Sequence, residues 1–167
     1  IATVSKSQAF IFGSLIARSE ESYNTLLTLL KSASFKVFDV NLRPPHFKIN
    51  VIEELMQQAD FIKFNDEELF EICASLQFHS KDLQKNILFI SKHTNTHLIC
   101  VTLGKNGAII YSDKTFSYNT GYMVTVKDTV GAGDSFLATL IHHLLLKETP
   151  QNAIDKACAV GALVASN

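Results

Sequence analysis

Residues 128–136 read Asp-Thr-Val-Gly-Ala-Gly-Asp-Ser-Phe, a polar, turn-prone stretch followed at once by the apolar run Leu137–Leu146. Such a run is long enough for about three helical turns, so the pattern predicts a glycine-rich turn opening into a buried helix. Gly131 and Gly133 carry no Cβ, which lets a ligand approach the backbone closely. The first amides of a helix lack internal partners and carry the positive end of its dipole. Amides of Gly131, Ala132 and Gly133 therefore make a candidate anion nest, with Asp134 beside it in the first turn. An anion hole next to a carboxylate suits phosphoryl transfer to an alcohol. The amides hold charge on the phosphoryl group, and the carboxylate takes the hydroxyl proton. The same residues also suit a plain helix start, where an aspartate complements the dipole.

The spacing excludes two other phosphate loops. The one Gly-Lys pair, Gly104-Lys105, continues into Asn106, so no Walker loop is present. Phe136 stands where a dinucleotide fingerprint needs its third glycine.

Alternating strand and helix patterns must position this chemistry. Apolar runs at 9–15, 35–40, 61–64, 97–103 and 109–111 read as strands, the first of them short and buried. Residues 115–118 and 122–126 read as further short strands. Helices are expected from Ser19, through 51–58 with Asn50 as cap, over 66–73, over 80–93, after the glycine turn, and from Thr149-Pro150 onward. Inward faces are expected at Leu83, Ile87, Leu88, Ile90 and Ser91, and at Ala153, Ile154, Ala157, Val160 and Leu163. Strand, helix, strand in this rhythm implies a mostly parallel sheet with helices on both faces, a three-layer α/β/α sandwich. Asp39, Asn41 and Arg43 then fall near the C-terminal edge of the sheet, where open α/β sheets bind ligands, with Pro44 and Pro45 holding the segment extended. Asn65 and Glu68 have capping-box spacing, and Lys105-Asn106-Gly107 reads as a hairpin turn.

The chain has 167 residues, 47% hydrophobic and 19% charged, with a net charge of −1. One domain with a sizeable core fits that size. The charge balance suggests neither a nucleic acid nor a membrane surface as partner. No apolar run reaches the eighteen or so residues of a membrane span. Cys73, Cys100 and Cys158 have no metal-ligand spacing and read as buried, reduced thiols. His93 and His97 are separated by Thr94-Asn95-Thr96, which breaks helical character, so a shared metal is disfavoured. Adjacent His142 and His143 point about 100° apart on a helix and do not face one ligand.

The stretch 128–136 resembles the C-terminal signature of the ribokinase-like (PfkB) carbohydrate kinases. Three further segments resemble that family in the expected order: Asp39-x-Asn41-x-Arg43, Asn65-x-x-Glu68 and Thr102-x-Gly104-x-x-Gly107. The continuation Arg43-Pro44-Pro45-His46-Phe47 looks most like the fructokinase branch. The resemblance implies a ribokinase-like fold and ATP-dependent phosphorylation of a sugar hydroxyl, with fructose the leading substrate. A 2-keto-3-deoxygluconate kinase, a nucleoside kinase and a non-catalytic nucleotide-binding module are the alternatives. It implies Asp134 as base and the amides of Gly131, Ala132 and Gly133 as anion hole. Asn65, Thr102, Gly104, Gly107 and Arg43 would serve the nucleotide and its phosphates. Glu68 would serve Mg²⁺ through water. The aspartate matching Asp128 binds a monovalent cation, such as K⁺, in many members, although later residues completing that site fall beyond Asn167. ATP, Mg²⁺ and sugar are thus the implied ligands. A cytoplasmic location is expected, and a full-length homodimer is compatible with the resemblance. The chain is expected to be the nucleotide portion of a longer kinase, lacking the sugar half and lid, and to be inactive alone.

Overall fold

Strands form where β-branched and aromatic residues cluster, and helices where apolar residues recur every three or four positions. The computed structural model describes residues 1–43 and 47–167. Pro44 and Pro45, expected to hold an extended segment, lie with His46 outside the described residues. The chain divides into two units, residues 1–100 and 101–167.

The first unit contains α1 (Ala2–Lys6), β1 (Phe10–Gly13), a 3₁₀ turn (Ser14–Arg18), α2 (Glu20–Leu30), β2 (Lys36–Asp39), α3 (Ile49–Gln58), β3 (Phe61–Asn65), α4 (Asp66–Ser75) and α5 (Leu83–Thr94). The strand β4 (Leu98–Thr102) begins in this unit and ends in the second. Here the strands lie in the order β1-β2-β3, with the first part of β4 beside β3. β1 pairs parallel with β2, and β2 parallel with β3. Register aligns Gly13 with Asp39 and Asp39 with Lys63, so the ends of β1 and β2 lie level with Lys63, and β3 runs on beyond them to Asn65. Val37, Phe38, Phe61, Ile62 and Phe64 are fully buried, as expected for parallel strands covered on both faces. Each such side chain contributes about 1.5–3 kcal/mol on burial.

Local signals explain most helix starts. Ser19 caps α2 by accepting from the Ser22 N–H. Asn65 caps α4 within a reciprocal box with Glu68. Asp82 caps α5 by accepting from the Lys85 N–H, so that helix begins at Leu83 rather than at Ser80. α3 begins at Ile49 behind Lys48, whose carbonyl accepts from the Val51 and Ile52 amides. Asn50 is therefore inside the first turn and is not the cap. Leu88 points outward, 43% exposed, because the buried stripe of α5 runs through Ile87, Ile90 and Ser91. β1 is only half-buried: Phe12 is in the core while Ile11 is 48% exposed.

The second unit holds the end of β4, then β5 (Ala108–Ser112), β6 (Thr115–Asn119), α6 (Ala132–Leu145) and α7 (Pro150–Ala165). The strands lie in the order β4-β5-β6, and β5 and β6 form an antiparallel hairpin. Its two-residue turn, Asp113 (φ 46°) and Lys114 (φ 71°), has the positive dihedrals that match strand twist. Residues 122–126 form no strand. Tyr122, Met123, Val124 and Val126 are exposed there, so the apolar pattern has no pairing edge to satisfy. α6 and α7 pack on each other. Thr149 caps α7 with Pro150 at its first turn. Ala153, Ile154, Ala157 and Cys158 face inward, Val160 is half-buried, and Leu163 is 62% exposed, contrary to its expected inward position. The α/β class expected from the alternation is what the structure shows.

Candidate active site

In the second unit, the stretch before α6 is shaped by its own polar groups. The Asp128 carboxylate accepts from the Val130 N–H at 2.9 Å, closing a tight turn. The Lys127 and Asp128 amides donate to the Ala165 carbonyl at 2.9 and 3.4 Å, tying this turn to the end of α7. Gly131 then adopts φ 77°, a left-handed conformation that favours glycine, and serves as the N-cap without a side-chain bond. The Gly131 carbonyl accepts from the Ser135 N–H at 2.9 Å.

The three amides expected to form the nest differ in their commitments. The Ala132 N–H donates to the Thr129 carbonyl at 3.2 Å. Among the described residues, the Gly131, Gly133 and Asp134 amides have no acceptor. Asp134 is exposed in the first turn of α6, with no hydrogen bond to its carboxylate among the described residues. A Cβ on Gly131 or Gly133 would meet nothing within 4 Å, so open space adjoins the amides. Behind them, Gly161 of α7 faces α6: a Cβ there would make ordinary contact, 3.5 Å from the Ala132 carbonyl and from Phe136 Cβ. The corner thus offers uncommitted donors and one free carboxylate on a well-packed base.

Thr102, Gly104 and Gly107 lie in one turn at the end of β4. The Leu103 N–H donates to the Gly107 carbonyl at 2.8 Å, and the Gly107 N–H to the Gly104 carbonyl at 3.2 Å. Gly104 and Gly107 have φ of 56° and 85°. Residues 104–106 form a short 3₁₀ turn. Gly107 also has a packing role: any Cβ there would collide with the Asn119 carbonyl. Gly121, which the sequence reading passed over, is its counterpart, because a Cβ on it would collide with the Lys105 carbonyl. The Asn119-Thr120-Gly121 turn pattern was its only signal. Asn119 accepts from the Gly121 N–H at 2.8 Å and donates to Asp155 at 2.7 Å. Gln151 of α7 donates to the Tyr118 carbonyl at 2.7 Å and accepts from the Tyr118 N–H at 3.3 Å, occupying backbone groups of β6.

In the first unit, Arg43, Asn65 and Glu68 are brought together around the ends of β2 and β3. Glu68 Oε2 accepts from the Asn65 N–H at 2.8 Å, and Asn65 Oδ1 from the Glu68 N–H at 2.8 Å. Glu68 Oε1 accepts from the Leu42 N–H at 2.9 Å, a bond no sequence spacing reveals. The carboxylate is buried, and that burial raises its pKa against the lowering effect of the two amide donors and of Lys63. Lys63 forms an ion pair with Asp39, its register partner on the neighbouring strand, at 3.0 Å. Arg43 is exposed, with Nη1 donating to the Leu42 carbonyl at 3.3 Å. The capping-box reading of Asn65 and Glu68 is therefore present in full.

Among the described residues no group of three or more His, Cys, Asp or Glu could hold a metal ion. Glu68 already spends one lone pair of each oxygen on a backbone amide. One further lone pair on each oxygen remains, enough to accept from a Mg²⁺-bound water. All three cysteines are buried and outside any disulfide, and burial pushes the Cys73 and Cys158 thiols up to about 12. No helix among the described residues is long and apolar enough to cross a membrane.

A glycine-shaped helix start with amides lacking acceptors lies on an α/β scaffold. Residues 2–167 match the pfkB family carbohydrate kinase, and the chain belongs to that family. It is 28% identical over 148 residues to the probable fructokinase-5 of Arabidopsis thaliana, covering 83% of this chain and 44% of that protein. In structure it is similar to the fructokinase of Vibrio cholerae O395 bound to fructose, ADP and calcium ion (TM-score 0.82, 23% identity, 95% of this chain and 55% of that one). It is also similar to the ATP-bound fructokinase of Xylella fastidiosa (TM-score 0.85, 18% identity, 99% and 57%). These structural likenesses show the fold, which is that of the ribokinase-like kinases. The chain spans about half the length of the relatives it matches.

Proposed function

We propose that the protein containing this chain transfers the γ-phosphoryl group of ATP to a sugar hydroxyl, with fructose as its substrate. The observation carrying this reading is the open corner at 131–134, where amides without acceptors adjoin an exposed carboxylate. Gly131, Gly133 and Asp134 amides bind charge on the phosphoryl oxygens. The amide of Ala132 joins them only when its bond to Thr129 opens. Asp134 takes the proton as the sugar oxygen attacks phosphorus; the bond to the β-phosphate oxygen breaks and ADP leaves. Thr102, Gly104 and Gly107 form a backbone turn against which the nucleotide rests, and Arg43 supplies positive charge to its phosphates. Mg²⁺ bound with the nucleotide would neutralise phosphate charge, with Glu68 holding it through water. Asp128, its carboxylate turned to Val130, lends a monovalent cation at most a second oxygen.

Fructose is favoured because relatives named fructokinase recur among the matches. A coupled ADP-release assay on the full-length protein, run against fructose, ribose, 2-keto-3-deoxygluconate and nucleosides, tests the reading. The highest kcat/KM is expected with fructose. Preference for a nucleoside would overturn the substrate, and no ATP-dependent turnover with any acceptor would overturn the activity. The 167-residue chain alone is expected to give background turnover in the same assay.

A further inference from the structure

The Asn41–Leu42 peptide is held at both of its polar ends by side chains from other elements. Its carbonyl accepts from the Ser14 hydroxyl at 3.0 Å, and its N–H donates to Glu68 Oε1 at 2.9 Å. Ser14 is buried at the end of β1, and Glu68 is buried in the first turn of α4. The peptide between them needs holding, because Asn41 has φ 43°, a left-handed conformation costly for a residue with a Cβ. One residue further on, Leu42 is buried and Arg43 emerges into solvent. The Val40 carbonyl also accepts from the Ser14 N–H at 3.4 Å, and the Val40 N–H donates to the Lys63 carbonyl at 3.1 Å. Four backbone groups at the exit of β2, the Val40 N–H and carbonyl, the Asn41 carbonyl and the Leu42 N–H, are therefore tied to the end of β1, to β3 or to α4.

We infer that Ser14 and Glu68 are positioning residues that clamp the strained Asn41–Leu42 peptide and so aim Arg43 at the phosphates. On this account the carboxylate of Glu68 acts on the protein backbone, and its main contribution to catalysis runs through Arg43 rather than through a metal ion. Ser14 was no candidate in the sequence because a serine after a strand reads as an ordinary turn. The inference rests on the proposed role of Arg43, so its test includes a separate check of that role.

The experiment is a double-mutant cycle on the full-length kinase, measured as kcat and KM for ATP and fructose, with Mg²⁺ titrated. Arg43→Ala alone checks the site reading; unchanged kcat/KM would overturn the role of Arg43, and with it this inference. Ser14→Ala removes one hydrogen bond and is expected to lower kcat/KM by about two- to tenfold. The double variant Ser14→Ala/Arg43→Ala should be no worse than Arg43→Ala alone, because Ser14 then has nothing left to aim. Additive losses would overturn the clamp. Glu68→Gln keeps one acceptor oxygen but turns an amide group toward a backbone N–H. It should show the same non-additivity with Arg43→Ala and leave the Mg²⁺ requirement nearly unchanged. A raised Mg²⁺ requirement that persists in the Arg43→Ala background would assign Glu68 mainly to the metal instead. Should Glu68→Gln fail to fold, the Ser14 cycle alone decides.

Discussion

Two corners of this molecule begin a helix with an acidic residue in its first turn, and they use it in opposite ways. At 65–68 the capping groups are committed: Asn65 and Glu68 bond each other's amides, and the Glu68 carboxylate also accepts from the Leu42 N–H. At 131–134 the helix has no side-chain cap, amides lack acceptors and Asp134 stands exposed. A buried capping box fixes strand ends. An open helix start leaves hydrogen-bonding capacity unspent in the native state. On the proposed reading, the contrast separates a scaffold corner from a chemical one.

The largest expected effect breaks the open corner. In the full-length enzyme, Asp134→Asn should lower kcat by about 10²- to 10⁴-fold, because asparagine cannot take the proton. Thermal melting should move little, since the carboxylate has no internal partner to lose. A kcat within about threefold of wild type would make Asp134 a helix-start residue only. Next in size is a backbone collision. Gly121→Ala puts a methyl group against the Lys105 carbonyl at φ 83° and should destabilise by about 2 kcal/mol or more, read by urea unfolding. A smaller loss would mean that the 104–107 turn yields easily. The smallest effect sharpens the committed corner. Asn65→Ala deletes one cap and should cost about 0.5–2 kcal/mol in the same measurement. No loss would show that the box is redundant with the Leu42 bond.

Much of this was legible in the sequence because it is local. Caps at Ser19, Asn65 and Thr149 act within four residues, and the strands that became β2, β3 and β4 are short runs rich in apolar residues. The glycine stretch at 128–136 declared itself because glycine spacing and a following apolar run are adjacent. What stayed hidden depends on contacts distant in sequence. Leu42 reaches Glu68 across 26 positions, Ser14 reaches Asn41 across 27, and Asn119 reaches Asp155 across 36. Residues 122–126 misled for the opposite reason: their apolar alternation is real, but pairing is decided by an available strand edge. Ala132 shows a finer limit, since only dihedral detail decides whether an amide faces a ligand or the Thr129 carbonyl.

The most direct test of the open corner is Gly133→Ala in the full-length protein, with melting temperature and phosphoryl transfer measured on the same sample. Its added methyl meets nothing within 4 Å, and alanine is about 1 kcal/mol better than glycine inside a helix. The account predicts an unchanged or higher melting temperature together with a loss of kcat of at least tenfold, because the methyl occupies the space where phosphoryl oxygens meet the amides. Full activity in a stable Gly133→Ala protein would contradict it.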